Sequence, residues 1–569
     1  ANNGFWDTYR TAWAAYYLFM PTGASKLLNG IVQHAADNNG WVPRWIAPAG
    51  TNSMVGTNSD VVFADAVAKG ISFDDELAYR SALLNGAAVS SNLTNGGRAG
   101  MDHSIFLGYM PLEDDQGLSW GLEGYINDYG VAMMALARGD NDIYEYYINR
   151  CRYYVNYFDE AHGFFIGKNK KGDFRYAPEA QYDPHAWWGD YTETSGWCMA
   201  FSVPFDGNGL AALYGGRKAL KEKLDEAFGA APSELQVGSI HEMVEARELR
   251  LGEFHLSNQP AHHMPYMYAY AGAPYKTAEV VHKALNRCFT GSEIGQGYPG
   301  DEDNGEMSGW YILSALGLYP LNMGSGEYII TTPLFENYTL HLEGGDIKVS
   351  CKNFSDKNIY IKKINLKTKD GKVVEYTKNY ITHKDLLNTA EIEYVLSGTY
   401  DENGWGTGES DLPTSVSESA DTVPQPAMDV TKGLEAGNAF NAELDGARQL
   451  WTTGDPKDIE KLFDDTSDTK VELKDKTSVY IYDPKGMEVR IYTVSCAEKN
   501  KMPSGFGLFG SDDGKTWVEL DIRTDVTALT DRYTQPFAVA KEKQGVYKYY
   551  RLDMSEGTVA ELELLGTQK

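Results

Sequence analysis

Basic side chains are in short supply. The 569 residues carry 51 Lys and Arg against 80 Asp and Glu, a net charge of −29. Nucleic acids and anionic membrane surfaces bind through basic patches, so neither is an expected partner. Cysteine is scarce too. Cys151, Cys198, Cys288, Cys351 and Cys496 are odd in number and form no CxxC pair, which excludes a zinc ribbon and a disulfide framework. No apolar run reaches the ~20 residues that cross a bilayer, so membrane insertion is not expected. The chain opens on Ala1 with no signal-peptide pattern, which fits a processed chain or a fragment.

Aromatics are plentiful, with 38 Tyr and 12 Trp. They suit both helix interfaces and the apolar faces of sugar rings. The length allows several domains. Residues 1–327 read as helices joined by Gly- and Pro-rich loops. Leu122 to Arg138 keeps helical spacing, breaks at Gly139-Asp140-Asn141 and resumes from Ile143 to Phe158, an αα-hairpin. Similar units recur at Phe73–Leu84, Ala211–Ala227, Thr277–Cys288 and Met307–Leu318. Repeated hairpins over this length predict a toroid of paired helices, an (α/α) barrel. From 328 to 407 the pattern turns to short β-branched segments, Tyr338–Leu342, Ile347–Cys351 and Ile359–Leu366 among them. Residues 408–430 are rich in Ser, Thr, Pro and acid and read as a linker. Residues 431–569 read as strands and turns, a β-sandwich.

Three loops are too polar for simple connectors. In Asp190-Tyr-Thr-Glu193-Thr-Ser-Gly-Trp197, the neighbours Trp187, Trp188 and Trp197 would desolvate Glu193. That raises a carboxyl pKa and keeps a proton available for donation. Pro299-Gly-Asp301-Glu-Asp303-Asn-Gly305-Glu306 packs four acids into six positions. It suits a general base, and its spacing does not match an EF-hand. The third stretch holds His241-Glu242 and Glu245, then Asn258-Gln-Pro-Ala-His262-His263. Adjacent histidines point apart and HExxH is absent, so zinc is disfavoured. The hard oxygens of Glu, Asn and Gln suit calcium. Glu193 and the Asp301/Asp303 pair supply the two carboxyl groups of glycoside hydrolysis. Spacing along the chain does not separate inverting from retaining chemistry.

Several segments in order resemble glycoside hydrolase family 92. They are Gly4-Phe-Trp6-Asp7-Thr-Tyr-Arg10, Gly40-Trp-Val-Pro-Arg44-Trp45, Tyr182-Asp-Pro184, Asp190-Tyr-Thr-Glu193, Asn258-Gln-Pro260, and Gly300-Asp-Glu-Asp-Asn-Gly305 through Trp310 to Gly324-Ser-Gly-Glu327-Tyr328. The resemblance covers residues 1 to about 410. It implies an (α/α)6 barrel and an exo-α-mannosidase that inverts, acts on mannose-containing glycans and depends on calcium (Ca2+). Glu193 falls on the general acid and Asp301 with Asp303 on the base pair. Trp6 and Asp7 fall on the terminal-mannose pocket, and Trp197 is placed with the substrate. His241 and Glu242 fall on the leaving-sugar contact of members that favour α-1,2 linkages. Asn258 and Glu245 are carried over to the calcium region.

Two departures stand out. Thr194-Ser-Gly-Trp197-Cys198 replaces the family's Gly-Asn-Ala-Trp-Gln, which puts linkage in question. Family members also carry a β-domain before the Phe-Trp-Asp segment, so such a domain is expected as a preceding segment or a separate chain. Glu rather than Gln at 193 argues against cleavage of mannose phosphodiesters, whose leaving groups need less protonation. The last segment resembles discoidin-like modules, a group shared with family 32 carbohydrate-binding modules. The carriers are Leu462-Phe-Asp464-Asp465, Gly510-Ser-Asp-Asp-Gly514-Lys-Thr-Trp517 and Tyr549-Tyr-Arg551. A secreted or surface-held bacterial hydrolase is the expectation, and a non-catalytic glycan-binding protein is the alternative.

Overall fold

The computed structural model describes residues 2–187, 189–231, 241–291, 296–444 and 446–568. Trp188 lies outside them. The helical domain follows the predicted pairing. Gly117–Arg138 ends on Gly139, whose φ of 71° supplies the left-handed cap. Asp140 then caps Asn141–Arg150 by accepting from Ile143 N at 3.4 Å. Beyond Arg150 the chain tightens into a 3-10 turn, Cys151–Tyr157, where the sequence reads as continued α-helix. A 3-10 turn eclipses residues three apart. Tyr154 and Tyr157 therefore share one inward face, and both are fully buried.

Ser59–Ala68 packs on Gly117–Arg138, Gly207–Tyr214 on Arg217–Gly229, and Pro274–Cys288 on Glu306–Ala315. The ring closes where Glu306–Ala315 meets Ala12–Phe19. Thr11 Oγ1 donates to the Glu306 carbonyl there at 2.6 Å. A Cβ on Gly309 would lie 2.6 Å from Thr11 Oγ1, so the two helices approach this closely only over a glycine.

A chain of buried charge stiffens the helical domain. Arg10 meets Glu123 at 2.9 Å, and Asn58 Nδ2 donates to the other Glu123 oxygen at 2.7 Å. Arg98 donates to Thr57 Oγ1 at 3.1 Å and to Asp128 at 2.7 Å, and Arg150 grips both oxygens of Asp128 at 2.5 and 2.7 Å. Each of these charges has an opposite partner, the condition under which burial is tolerated.

The β-module holds a five-stranded sheet in the order Val373–Glu375, Tyr360–Thr368, Thr389–Ser397, Ile347–Lys352, Asn337–Leu340. Its Thr389–Ser397 and Ile347–Lys352 pair is parallel. The C-terminal sandwich turns on one long strand, Thr477–Cys496. Its first part pairs with Gln449–Thr452 and Tyr547–Met554, and its second with Thr534–Ala538 and Gly557–Gln568. The register slips between Tyr482 and Met487, across Pro484 and Gly486.

The 408–430 stretch runs as a strap pinned to the helical domain. Asp206, fully buried, is its clasp. The Asp206 carboxylate accepts from Ser415 Oγ at 2.8 Å, Ser417 N at 2.8 Å, Ser417 Oγ at 2.7 Å and Tyr154 OH at 2.8 Å. Ser415 and Ser417 supply three of these donors, so the composition that reads as a linker is what fastens it. The sandwich docks in turn. Arg523 makes a two-pronged pair with Asp142 at 2.7 and 3.0 Å, and Ala538 N donates to the same carboxylate at 2.9 Å. Among the described residues no helix is long and apolar enough to cross a membrane.

Asp206→Ala leaves several buried donors without an acceptor and is expected to cost about 3 kcal/mol or more. Limited proteolysis should then open the 408–430 strap before the helical domain is cut. Resistance equal to that of the parent chain would contradict the clasp.

Candidate active site

The acidic loop is built to aim its side chains. Gly300 has a φ of 67°, and a Cβ there would sit 1.9 Å from the Ser257 carbonyl oxygen. Asp303, Asn304 and Gly305 follow in the left-handed region at φ 52°, 58° and 97°. Two consecutive non-glycine residues in that region are held by their surroundings at a cost. Asn304 Oδ1 accepts from Gly4 N at 3.1 Å, which ties the loop to the Trp6–Asp7 turn. The acids divide by role. Glu302 caps the helix Glu306–Ala315, accepting from Gly305 N at 2.6 Å and Ser308 N at 3.1 Å. Glu306 is fully buried against His262 Nδ1 at 2.7 Å. Asp303 takes a hydrogen bond from Gln259 Nε2. Asp301 is exposed beside it.

Glu193 reaches the site from the other side. Its own φ is 50°. Asn258 Nδ2 donates to its carbonyl at 2.8 Å and to its carboxylate at 3.3 Å. Asn258 and Gln259 are consecutive, so one dipeptide holds Glu193 with one amide and Asp303 with the next. The loop carrying Glu193 is anchored at Asp190, which Arg175 grips at 2.5 and 3.0 Å, and at Thr192 N, which donates to Ser119 Oγ at 2.8 Å.

Asp7 lies in the same field. It is 2% exposed, and its Oδ2 has no partner among the described residues. Burial first, then Asp303, pushes its pKa well up; Arg10 offsets part of this. Burial also raises Glu193. The amide of Asn258 works against that shift, while Glu242 and Asp303 add to it. Asp303 is pushed up to about 6 by burial, Asp301 and Glu306, less the help of Gln259. The site is thus short of positive charge, and its crowded acids titrate above the ordinary carboxylate range.

The remaining expected residues are placed unevenly. His241 and Glu242 begin the helix His241–Leu249, with His241 Nε2 3.1 Å from Glu242 Oε1 and 59% of the His241 side chain exposed. Both contribute to the field at Glu193. Trp6 is only 3% exposed, with the Arg10 guanidinium 5.0 Å from its ring centre. Trp197, expected at the substrate, is nearly as enclosed as Trp6. It is 5% exposed, edge-on to Phe164 at 4.9 Å and under the Lys223 ammonium at 4.6 Å. Apolar packing from Phe164 draws its ring inward, so it braces the Glu193 loop from behind. His262 and His263 do point apart. His262 faces Glu306, while His263 Nε2 sits 2.8 Å from the Phe201 carbonyl.

Gln259 and Glu253 were not singled out by sequence reasoning. Gln259 stands in the Asn258-Gln-Pro motif, which was the available signal. Glu253 sits behind the Glu193 loop, 2.7 Å from His185 Nδ1 and 3.2 Å from His255 Nε2. The two imidazoles hold it down to about 2 against the burial that opposes ionisation. Its spacing from the motif gave no signal.

Of the residues expected near calcium, Asn258 adjoins Glu193. Glu245 lies on the His241 helix, Oε1 3.5 Å from His241 Nδ1 and Oε2 buried without a partner. Among the described residues no three His, Cys, Asp or Glu converge as a metal cage. What fits a hard cation is the donor chemistry: orphaned carboxylate oxygens on Asp7, Glu245 and Glu306, and a surplus of negative charge.

Residues 1–398 match the family described as glycosyl hydrolase family 92 catalytic domain. A curated relative, an "uncharacterized secreted glycosidase" of Arthroderma benhamiae, is 28% identical over 397 residues, 63% of this chain and 47% of the relative. A family GH92 inverting mannosidase of Bacteroides thetaiotaomicron superposes with a TM-score of 0.64 at 33% identity, over 73% of this chain and 55% of that one. A GH92 α-mannosidase of the same organism gives 0.64 at 25%, over 74% and 53%. The chain therefore spans about half the length of each of these relatives.

The raised Asp303 pKa has a sign that stability measurements read. The folded state keeps a proton that the unfolded chain has lost, so this group's contribution is full below its ordinary 3.8 and is lost as pH rises through about 6. In chelated buffer at pH 7.5, Asp303→Asn is expected to be more stable than the parent by on the order of 1 kcal/mol, allowing for screening. The gap should shrink toward pH 4.5. Equal thermal stability at both pH values would contradict the site's electrostatics.

Proposed function

This chain belongs to glycosyl hydrolase family 92, and on that premise we propose that it removes terminal α-linked mannose from glycans with inversion. One observation carries the reading. Two carboxyl groups with raised pKa values, Glu193 and Asp303, are held from different loops by the adjacent amides of Asn258 and Gln259. Single displacement would place the attacking water between these two carboxyl groups.

In this mechanism Glu193 protonates the leaving oxygen. Burial, with Glu242 and Asp303, shifts it toward the protonated form that a general acid needs. Asp303, with Asp301 beside it, takes a proton from the attacking water. The Gln259 amide favours the ionised form and so keeps Asp303 usable as a base just above pH 6. Asp7, buried with one free oxygen, accepts from a hydroxyl of the terminal sugar. His241 and Glu242, with the His241 side chain exposed, would meet the leaving sugar, and the resemblance at these two residues implies a preference for α-1,2 linkages. Calcium would be held by hard oxygens around Asn258 and Glu245, where it would offset the carboxylate charge and bind sugar hydroxyls. Export from a bacterial cell completes the reading, in keeping with the secreted description of the fungal relative.

Glu193→Gln is expected to lower kcat on an unactivated α-mannobioside by about 10²–10⁴-fold, the span of general-acid catalysis. The loss should be far smaller with a dinitrophenyl leaving group. Equal losses on both substrates would remove Glu193 from the acid role. Exhaustive EGTA treatment should abolish turnover, with recovery on added calcium but not zinc. Full turnover in EGTA would reject the calcium assignment.

A further inference from the structure

We propose that a second sugar-binding site lies away from the carboxylates, in the cleft between the first turn of the helix Pro274–Cys288 and the turn after the strand Thr389–Ser397, and that it takes one pyranose ring of a glycan chain. The cleft measures about 210 Å³. A water takes about 30 Å³, so the space holds several waters, or one six-membered ring in their place. Tyr400 is 46% exposed at its edge. One face of Tyr400 lies flat on Tyr275, with ring centres 4.6 Å apart and planes 7° from parallel. Tyr360 buttresses Tyr400 at 5.5 Å and 60°, and its own hydroxyl is fixed on Glu279 at 2.9 Å. Trp405 closes the wall, its indole N–H donating to the Tyr376 carbonyl at 2.8 Å.

Tyr400 is thus held in place by Tyr275 and Tyr360 while nearly half of it stays exposed at the cleft edge. An aromatic ring fixed at the edge of a cleft offers a flat apolar surface on which a ligand ring can stack. The rim is polar, with Lys362 and Asp401 among its lining residues. An apolar ligand would strand those groups. A sugar ring meets both demands, placing its C–H face on the Tyr400 ring and its hydroxyls on the rim. None of these residues belongs to the carboxylate cluster, so the site would hold a polymer without touching the reacting bond. That the ring is mannose rests on the proposed activity; that it is a pyranose does not.

The test is native affinity electrophoresis of the full chain through soluble α-mannan, with α-glucan and galactan gels in parallel. A Glu193→Gln background prevents digestion. Retardation should fall severalfold in Tyr400→Ala and persist in Tyr400→Phe, which keeps the ring. With Glu193 restored, Tyr400→Ala should turn over an aryl α-mannoside at the parent rate, which shows that the fold is intact. Retardation by glucan or galactan alone, lost in Tyr400→Ala, would support the site and count against mannose as its sugar. A parent chain retarded by none of the three, or a Tyr400→Ala chain retarded as strongly as the parent, would overturn the proposal.

Discussion

Carboxylates that share a partly buried space repel one another, and the helical domain is arranged around accommodating that repulsion. Asp7, Glu193, Asp303 and Glu306 come from three separated stretches of chain, yet all enter the field at Asp7. Water is largely excluded from Asp7 and Glu306, at 2% and 0% exposure. Their energy is lowered only by donors placed at them, by protons, or by a cation. The donors available are few and specific: Asn258 on Glu193, Gln259 on Asp303 and His262 on Glu306. All three fall within five residues, 258 to 262. A single short segment thus neutralises part of the repulsion and sets where each acid points.

That segment is useful only if the ring around it does not yield. The closing contact of Thr11 with Glu306 fixes the acidic helix against the Trp6–Asp7 turn. Arg10 reaches away from Asp7 to Glu123, and the Trp6 carbonyl takes its Nε at 3.0 Å. The arginine is therefore committed to structure and offsets the Asp7 charge only from a distance. From Glu123 the polar network passes through Asn58 and Thr57 to Arg98, Asp128 and Arg150. Below it, Asp206 fastens the strap, and Asp142 receives the sandwich. The second module is docked to the helical domain rather than hung from it.

Much of this was legible in the sequence. The helix pairing followed from apolar spacing and from Gly139-Asp140, whose cap chemistry is local. The clustering of acids at 301–306 and the aromatic setting of Glu193 pointed to two loops that the fold ties to adjacent amides, because glycine-flanked acids before an apolar helix have few structural uses. Three things were not legible. Composition at 408–430 gave polarity but not Asp206, which lies some 200 residues away and converts a linker into a strap. Trp197 sits close to Glu193 in the chain, yet which way its ring turns depends on Phe164 and Lys223. Glu253 acts through His185 and His255, partners brought in by the fold, and no local pattern marks it.

The central claim is that Glu193 and Asp303 work across a water as a single-displacement pair. The stereochemistry of the first product tests it most directly. Proton NMR during early turnover of an α-mannobioside, before mutarotation, should show β-mannose appearing first and α-mannose growing in only later. Initial release of α-mannose would require a covalent intermediate on one of the carboxylates and would contradict the account.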